Sequence, residues 1–590
     1  MQQLHINEPE TMLRRYKTLR RELLTSDAAW LDKRIAVLGG STTDSIIKML
    51  DLYLLSHDIR AEFYVSEYGQ YWQDAMFSTL ELAEFKPDII FIHTTNRNIT
   101  RYPVPGDNAE VADNLLNAEY ERFVQMWDKL ASDYNCAIIQ NNFEYTYWRL
   151  MGNAEASFVS GRVNFITRLN LKFYQYAQAH NGFYINDINW LSADYGLEAW
   201  SDPFYWYMYK YALALPAIPR LARSVANIIK SIYGKNKKAF ALDLDNTLWG
   251  GIVGDDGAEN LEMGQETSVG QAFAEFQAYI KAHKALGVIL NVVSKNEPEN
   301  ALAGLNRPDS LLTPDDFIMF KANWEPKSDN LQEIAHELAL LSESFVFVDD
   351  NPAERAIISQ VLPSVPTPEM SRPEYYIKEI DRECYFEVTS LTDDDQKRVE
   401  QYRDNVTRSK LQTQFTDYRE YLSSLEMIAE IRPFTPMYMS RIAQLTNKSN
   451  QFNLTTLRCT QEEIEQYTSD PRNITLYGKL IDKFGDNGVV SVVLGEISGT
   501  ALHVRLWLMS CRVLKRGMEY AMMDELARLA KDRGITELRG YYYPMAKNAM
   551  VRDFYGDMGF TLACESEGGD KTYTLNLDSY VNKQSAIKVN

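Results

Sequence analysis

Short apolar runs alternate with amphipathic stretches in the first part of the chain. In "KRIAVLGGSTTDSIIKMLDLYLL" an apolar run leads through a small polar turn into a helical pattern, which predicts the first strand and helix of a parallel α/β sheet. Further strands are predicted at "KPDIIFIHTTN", "NCAIIQNNF" and "GFYINDINWLS", and a closing helix at "LPAIPRLARSVANIIKSIYG". We therefore predict an α/β domain over residues 1–234, followed by the short basic linker "GKNKK".

A second α/β pattern follows the linker. Its predicted strands are "AFALDLDNTL", "GVILNVVSKN" and "SFVFVDDNP", with helical stretches between them. The stretch from Pro363 to Glu374 then carries four prolines and no clear period, which indicates a domain boundary. The second domain is therefore predicted over residues 235–366.

The last part of the chain mixes helices with antiparallel strands. Helices are predicted from Asp393 to Leu425 and from Leu514 to Arg533, with a hairpin at "GVVSVVLGEISGTALHVRLWLMS" between them. These elements predict an α+β domain over residues 376–580. The fold class expected for the whole chain is multidomain α/β.

Length, charge and cysteine usage narrow the class of protein. A chain of 590 residues is too long for a single core. A net charge of −20 and a pI near 5.0 would repel a phosphate backbone, so we expect no nucleic-acid partner. Five scattered cysteines without C-x-x-C spacing fit neither a disulfide framework nor a zinc site. The chain shows no apolar signal core and no run of ~18 apolar residues, so we expect a cytoplasmic protein without a membrane partner.

Two pairs of carboxylates end predicted strands of the second domain. Asp243 and Asp245 follow the apolar run of "FALDLDNTLWGGIVGDDG", and alternate strand residues point to the same side. Asp349 and Asp350 end the strand in "FVFVDDNPAER". The carboxyl ends of parallel strands meet in one crevice, so we expect all four carboxylates to converge there. Clustered carboxylates repel one another unless a cation lies between them, and their oxygen atoms suit Mg²⁺.

Two further polar residues lie between these pairs. Ser294 ends the strand in "NVVSKN", and Lys327 lies in "NWEPKSDN", with Lys321 as an alternative lysine. Together with the carboxylates they complete a phosphoryl-transfer site. We expect Asp243 to attack phosphorus and Asp245 to act first as acid and then as base. Ser294 and the lysine would hold the transferred group, and the second carboxylate pair would complete the Mg²⁺ shell.

The order of these motifs resembles the haloacid-dehalogenase (HAD) superfamily: D-x-D-x-T, a strand-end Ser, a Lys and paired acids. The same stretches are more closely similar to its FkbH-like family, whose E-P-K triplet favours Lys327 over Lys321. The resemblance implies a Mg²⁺-dependent enzyme of polyketide biosynthesis that dephosphorylates a phosphorylated three-carbon acyl donor, with 1,3-bisphosphoglycerate expected. The glyceryl group would pass to the thiol of an acyl carrier protein.

The spacing of the motifs also predicts how open the site is. About 45 residues separate the first motif from Ser294, and about 30 separate Ser294 from Lys327, so neither interval holds a cap domain of ~100 residues. A capless site suits a substrate presented on a protein, or a neighbouring domain that acts as the lid.

Cys511 is a candidate nucleophile in the third domain. In "RLWLMSCRVLKRGMEY" it is predicted to begin a helix, with Arg512, Lys515 and Arg516 beside it, and both features would lower a thiol pKa. A buried core thiol is the alternative interpretation. His503 lies eight residues before Cys511, more than about 20 Å along an extended strand and too far to serve as its base.

The third domain resembles the GNAT acyltransferase fold. Residues Arg512–Gly517 lie where that fold has an R-x-x-G-x-G loop, although Lys515 replaces the first glycine, and Asn548 begins the similar stretch "NAMVRDFYGDMGF". The resemblance implies that Arg512, Gly517 and Asn548 bind a cofactor group, here the phosphate of a carrier protein's phosphopantetheine arm.

The first domain resembles SGNH hydrolases. Ser41 in "VLGGSTTDS" matches the nucleophile position, and Asn96 matches an oxyanion-hole donor. Asp202 is followed three positions later by Tyr205 where that family has a histidine, so the ordinary triad base is missing. We interpret this domain as a degenerate hydrolase fold that acts as a docking platform or lid.

The leading hypothesis is therefore an FkbH-like enzyme in which Asp243 removes phosphate and Cys511 carries the acyl group to the acyl carrier protein. A stand-alone phosphatase for a small phosphate ester or phosphoamino acid is the first alternative. A non-catalytic docking protein is the second, although a scaffold does not need clustered, mutually repelling carboxylates. The sequence does not determine the oligomeric state.

Overall fold

The computed structural model describes residues 9–25, 30–449, 451–545, 547–583 and 585–590. It divides into two compact units. One unit holds the residues up to Ile232 together with Thr460–Glu463, and the other holds Tyr233–Cys459 and Ile464–Asn590. The predicted boundaries of the three domains stay a prediction. No helix in the described ranges is both long enough and apolar enough to cross a bilayer.

Five parallel strands form the sheet of the first unit: β1 (Leu31–Gly39), β2 (Ile59–Val65), β3 (Ile89–His93), β4 (Ala137–Asn141) and β5 (Phe183–Asn186). Their order is β2-β1-β3-β4-β5. β3 and β4 are buried along their whole length, as expected of strands covered on both faces. The helices of this unit are Pro9–Arg14, Tyr16–Leu24, Asp44–Leu55, Tyr71–Phe77, Leu80–Phe85, Ala109–Tyr134, Ala154–Ser157, Arg162–Ala179, Ile188–Tyr195, Leu197–Trp200, Pro203–Tyr209 and Ile218–Ile232.

One predicted strand of this unit is shorter than expected. Only Phe183–Asn186 of "GFYINDINWLS" is extended, and Ile188–Tyr195 forms a helix. Asp187 ends the strand because its carboxylate accepts the Trp190 N–H at 3.1 Å and caps the helix.

The second unit contains a four-stranded parallel sheet: β6 (Ala239–Leu242), β7 (Ile289–Ser294), β8 (Met319–Ala322) and β9 (Phe345–Val348). The order is β8-β7-β6-β9, so β6 is central. All four residues of β6 are buried, which accounts for its uninterrupted apolar sequence. The accompanying helices are Val253–Asp256, Ser268–Ala282, Pro298–Leu305, Lys327–Glu337, Pro352–Val361 and Tyr376–Asp381.

A mixed sheet follows in the rest of the chain: β10 (Ile428–Arg432), β11 (Phe452–Asn453), β12 (Asn473–Asp482), β13 (Gly485–Ser498), β14 (Ala501–Met509), β15 (Glu537–Tyr542), β16 (Thr561–Glu565), β17 (Lys571–Asn576) and β18 (Lys588–Val589). The order is β16-β17-β15-β14-β13-β12-β10-β18, and β11 pairs with β14. Its helices are Asp393–Gln396, Arg398–Gln412, Tyr418–Ser424, Met439–Lys448, Gln461–Ser469, Met518–Asp532 and Phe554–Asp557.

β14 and β15 are parallel, and they pair over only part of their length. The pairing runs from Ala501 to Val504 on β14, and the end of β14 pairs instead with β11, with Met509 opposite Phe452. The α/β class predicted from the sequence is confirmed by these parallel and mixed sheets.

The helix predicted from Leu514 begins four residues later, at Met518. Lys515 and Gly517 have positive φ angles of 64° and 84°, which an α-helix does not accommodate.

Candidate active site

Three carboxylates converge at the carboxyl ends of β6 and β9. Leu242 and Val348 are register partners, so Asp243 and Asp349 follow at the same level of the sheet. The Asp243 N–H donates to the Val348 carbonyl at 2.9 Å. One carboxylate oxygen from each of Asp243, Asp349 and Asp350 lies within 4.8 Å of the other two. Oxygen atoms grouped in this way are the ligands that Mg²⁺ prefers.

Lys327 lies directly against this cluster. Its Nζ is 2.9 Å from Oδ1 of Asp243 and 2.6 Å from Oδ2 of Asp349, and all three side chains are buried. Burial alone would lower the pKa of Lys327, but the attraction of the two carboxylates outweighs it and the pKa lies above its ordinary value. The alternative, Lys321, pairs at 2.8 and 3.1 Å with two glutamates of the helix Lys327–Glu337. The structure therefore places Lys327, and not Lys321, at the carboxylates.

The charge of the cluster fits a divalent cation. Three carboxylates and one lysine leave two negative charges without a counter-charge. Burial and then repulsion from Asp243 raise the pKa of Asp349 to about 7, and the same two causes raise the pKa of Asp350. Asp243, Asp349 and Asp350 are thus the residues that would hold Mg²⁺.

Asp245 lies beside the cluster rather than within it, which departs from the prediction of four metal-ligating carboxylates. Its Oδ1 accepts Nε1–H of Trp249 at 2.9 Å and the N–H of Val253 at 3.0 Å, and its Oδ2 accepts Nδ2–H of Asn296 at 2.8 Å. These three donors engage both oxygens. Burial raises the pKa of Asp245, which favours the protonated form that an acid catalyst requires.

Ser294 and Asn296 follow the end of β7 on the same edge of the sheet. Ser294 is almost fully buried, and Nδ2 of Asn296 lies 3.5 Å from its Oγ. Asn296 therefore connects Ser294 with Asp245. The sequence analysis did not assign Asn296, although it lies two residues after Ser294 in the "VVSKN" stretch.

Two further side chains hold the segment after β9, and neither was predicted. The Oγ1 of Thr247 accepts the N–H of Asp350 at 3.1 Å and lies 3.4 Å from its Oδ1. Nη1 of Arg355 donates to the backbone carbonyls of Asp349 and Asp350 at 2.8 and 2.7 Å. These bonds fix the backbone of Asp349 and Asp350 and so orient the two carboxylates. Thr247 belongs to D-x-D-x-T and Arg355 to "DDNPAER", so both lie in stretches that the analysis had quoted.

Cys511 does not begin an α-helix, so that part of the prediction is wrong. It opens the short 3₁₀ turn Cys511–Val513 after β14, and the next α-helix starts at Met518. The side chain of Arg516 turns away, with Nη1 3.1 Å from Asp482. A helix N-terminus therefore cannot activate this thiol. His503 is engaged elsewhere, with Nδ1 2.5 Å from the Tyr541 hydroxyl.

The predicted cofactor-binding residues have different surroundings. Asn548 is fully buried, its Oδ1 accepts the N–H of Met545 at 2.8 Å, and its Nδ2 donates to the carbonyls of Asn453 and Tyr543 at 2.9 and 3.0 Å. These bonds give Asn548 a structural role in place of a binding one. Gly517 supplies the left-handed residue before the helix Met518–Asp532.

In the first unit, Ser41 has a histidine neighbour that the sequence analysis missed. Nε2 of His93 lies 3.0 Å from Oγ of Ser41, and Nδ1 lies 2.9 Å from Nδ2 of Asn141. Oδ1 of Asn141 accepts from Asn186 at 2.8 Å, so the Asn141 amide group donates to Nδ1 and the His93 proton is on Nε2. The ring therefore donates to Ser41 and cannot remove its proton.

Two further observations concern Ser41 as a nucleophile and its predicted oxyanion-hole donor. Ser41 is 3% exposed and His93 is 0% exposed, and burial lowers the pKa of His93 to about 4. Asn96, the predicted oxyanion-hole donor, gives an amide hydrogen to Glu144 at 2.7 Å.

Comparison with known proteins shows a matching family model and a similar solved structure. A family model described as FkbH, N-terminal domain, matches residues 34–230. The N-terminal part of the protein BF1531 from Bacteroides fragilis, described as containing a phosphatase domain complexed with Mg, is similar at 30% identity and a TM-score of 0.59. That match covers 64% of this chain and 99% of the other. No curated protein matches the chain.

Weaker likenesses involve the last part of the chain. The ribosomal-protein-S18-alanine N-acetyltransferase from Escherichia coli is 11% identical, with a TM-score of 0.21, and the match covers 27% of this chain and 99% of that one. The PaiA N-acetyltransferase from Thermoplasma acidophilum, in complex with coenzyme A, is 17% identical with a TM-score of 0.19, over 25% of this chain and 98% of that one. Scores this low carry no argument about this chain.

Proposed function

The chain belongs to the FkbH-like family, and on that premise we propose that it is a Mg²⁺-dependent HAD-type phosphatase that prepares an acyl group for transfer to an acyl carrier protein. Family membership and the similarity to a phosphatase-containing protein support the phosphatase part. The observation that carries it is the buried cluster of Asp243, Asp349, Asp350 and Lys327 at the carboxyl edge of a parallel sheet.

The arrangement supports a two-step displacement. Asp243 attacks phosphorus and forms an aspartyl phosphate while the bond from phosphorus to the substrate oxygen breaks. Asp245, held by Trp249, Val253 and Asn296, gives a proton to that leaving oxygen and then takes one from the water that hydrolyses the aspartyl phosphate. Mg²⁺ bound by the three clustered carboxylates would neutralise charge on the transferred phosphoryl group.

Lys327 and Ser294 act on the same phosphoryl group. Lys327 offsets the negative charge that would otherwise repel a phosphate from Asp243. Ser294 ends β7 on the same edge and offers a hydroxyl donor. Asn296 holds the side chains of Asp245 and Ser294 in position relative to each other through its amide group.

The finer part of the proposal concerns the substrate and the partner. We assign a phosphorylated three-carbon acyl donor, with 1,3-bisphosphoglycerate as the first candidate, and an acyl carrier protein as acceptor. Asp243 removes the phosphate ester of this donor, and its acyl phosphate keeps the carbonyl group activated for transfer. Cys511 would hold the acyl group in transit. The support is the FkbH-like resemblance of the motifs, together with the partly exposed position of Cys511 at the turn after β14.

Two measurements test the proposal at its two levels. Hydrolysis of an aryl phosphate should require Mg²⁺ and should be lost in Asp243→Asn, while Asp255→Asn, which changes an exposed aspartate of the helix Val253–Asp256, should leave it unchanged. The intact mass of a phosphopantetheinylated carrier protein, incubated with 1,3-bisphosphoglycerate generated in place, should rise by one glyceryl group. Mg²⁺-independent hydrolysis would contradict the phosphatase part. Phosphate release without any gain in carrier mass would leave a stand-alone phosphatase.

A further inference from the structure

Five basic side chains converge on the surroundings of Cys511, and we call them the cation cluster: Lys238, Arg398, Arg441, Lys448 and Arg512. Burial, and then repulsion from the other four members, hold the pKa of Lys448 well below its ordinary value. Lys238 and Arg398 also interact electrostatically with the Cys511 thiol. The cluster therefore places like charges together beside the candidate nucleophile. Its members come from chain segments that lie far apart in the sequence.

Too few carboxylates accompany these cations. Nε of Arg441 lies 2.8 Å from Asp394, while Nζ of Lys448 lies 3.1 Å from Asp395, which also pairs with Arg398. At the margin Glu343 is already paired with Lys547 at 2.6 Å. Among the residues that the structure describes, five basic side chains against two carboxylates leave a formal excess of three positive charges.

Arg512 shows most directly that an anion would fit the cluster. The residue is only 8% exposed, and its Nη1 has no hydrogen-bond partner among the residues that the structure describes. Its Nε donates to Oγ of Ser510 at 3.2 Å. A buried guanidinium with an unpaired N–H group is costly, since the desolvation of that group is not repaid. A bound anion would supply both the missing acceptor and the missing charge.

We propose that the cation cluster is a phosphate-binding site that presents a phosphorylated ligand to Cys511. Arginine side chains bind phosphate with paired N–H groups, and three members of the cluster are arginines. The charges favour a dianion, which brings two negative charges against the formal excess of three. A phosphodiester brings only one.

This site is separate from the phosphatase site, which follows from the position of β6. Lys238 precedes the strand and Asp243 follows it, so five residues separate them, a rise of about 16 Å. A three-carbon bisphosphate is only about half as long from phosphorus to phosphorus, since six bonds join the two atoms. One molecule therefore cannot fill both sites, and the cluster binds a phosphate of its own.

The inference rests on the proposed function for its chemical use. With an acyl phosphate bound, the Cys511 thiolate attacks the carbonyl carbon, its proton having passed to water. The carbon–sulfur bond forms as the carbon–oxygen bond to phosphate breaks, and inorganic phosphate leaves with the electron pair. The cluster then stabilises the charge of the leaving group where it develops.

Protection of Cys511 from alkylation tests the site without any turnover. The full chain carrying Asp243→Asn, without Mg²⁺, is treated with iodoacetamide, and the alkylated peptides are counted by mass spectrometry. Inorganic phosphate or 3-phosphoglycerate at ten times its dissociation constant should slow alkylation of Cys511 about tenfold. Cys564, which is exposed, serves as the internal control and should react at an unchanged rate.

Substitutions test which residues are needed for the protection of Cys511 by phosphate. Arg512→Met and Lys238→Met should each abolish the protection, and Arg512→Met should melt no lower than its parent, because it removes a buried charge that pairs with no carboxylate of the described residues. Lys397→Met, an exposed neighbour of Arg398, should keep full protection. Equal alkylation of Cys511 with and without phosphate overturns the proposal. Protection that survives in both cluster variants overturns it as well.

A second arm identifies the source of the phosphate. A serine peptide carrying 4′-phosphopantetheine is compared with inorganic phosphate and 3-phosphoglycerate, and its unmodified form is the control. Protection by these two small molecules alone assigns the site to the acyl donor, and stronger protection by the peptide assigns it to the carrier arm. Neither result depends on phosphatase activity, so a failure here is distinguishable from a failure of the proposed function.

Discussion

Replacement of Lys327 with methionine removes the cation that lies among the clustered carboxylates. Its Nζ is 2.9 Å from Asp243 and 2.6 Å from Asp349, with both pairs buried. Removing one partner from a buried ion pair costs about 3–5 kcal/mol, because the remaining charge stays desolvated. We expect Lys327→Met to lower the free energy of unfolding of this sheet by that amount when Mg²⁺ is absent. Saturating Mg²⁺ should restore more stability to the variant than to the parent, since the variant has more charge to neutralise.

The assay follows hydrogen exchange in peptides from β6 and β9, because a multidomain chain does not unfold in one step. Lys321→Met is the matched control, since its ammonium group makes two ion pairs with partly exposed glutamates on a helix surface. Such pairs contribute less than about 1 kcal/mol each, and they have no reason to respond to Mg²⁺. If the two variants were equally stable without Mg²⁺, the view that Lys327 neutralises the cluster would be wrong.

Three further substitutions have defined outcomes. Arg355→Met removes the donor to the two backbone carbonyls that follow β9, and we expect the Mg²⁺ requirement for aryl phosphate hydrolysis to rise 10- to 100-fold, roughly the effect of losing support behind a metal ligand. Gly540→Ala places a methyl group 2.4 Å from the Tyr555 ring and should lower stability by about 1–3 kcal/mol in thermal melts, whereas Gly556→Ala, with open space around it, should not. Burial raises the pKa of Glu144 from 4.5 to about 7, so the folded state keeps a proton that the unfolded state releases, and stability falls as pH rises between these values. Urea melts at these two pH values measure the fall in the free energy of unfolding. Glu144→Gln should reduce that fall by up to about 3 kcal/mol, and an unchanged fall would contradict the raised pKa of Glu144.

The carboxylates of the phosphatase site could be predicted from the sequence because strand geometry alone brings them together. Asp243 and Asp349 follow strands of one parallel sheet, and parallel strands end on the same edge. Lys327 needed the family resemblance, since Lys321 lies just as near in sequence. Asn296 and Arg355 act on other residues rather than on substrate, and no local pattern marks a side chain for that role.

The surroundings of Cys511 could not be predicted, since they are assembled from distant segments. The flanking residues Lys515 and Arg516 suggested a basic setting, but Arg516 pairs with Asp482 instead. The same limit applies to Ser41, whose neighbour His93 lies 52 residues away on another strand. In each case the reactive group can be recognised in the sequence, but the residues that contact it cannot, because the tertiary fold brings them from distant segments.

The two sites are related by charge. At one end of β6, three carboxylates and a lysine leave two negative charges, which a divalent cation would balance. At the other end, five basic side chains and two carboxylates of the described residues leave a formal excess of three positive charges, against which a phosphate dianion would bring two negative charges. The chain as a whole carries a net charge of −20, so a buried positive excess does not follow from its composition. Burying like charges lowers stability, and a site that persists with such an excess is most simply explained by the ligand that compensates it.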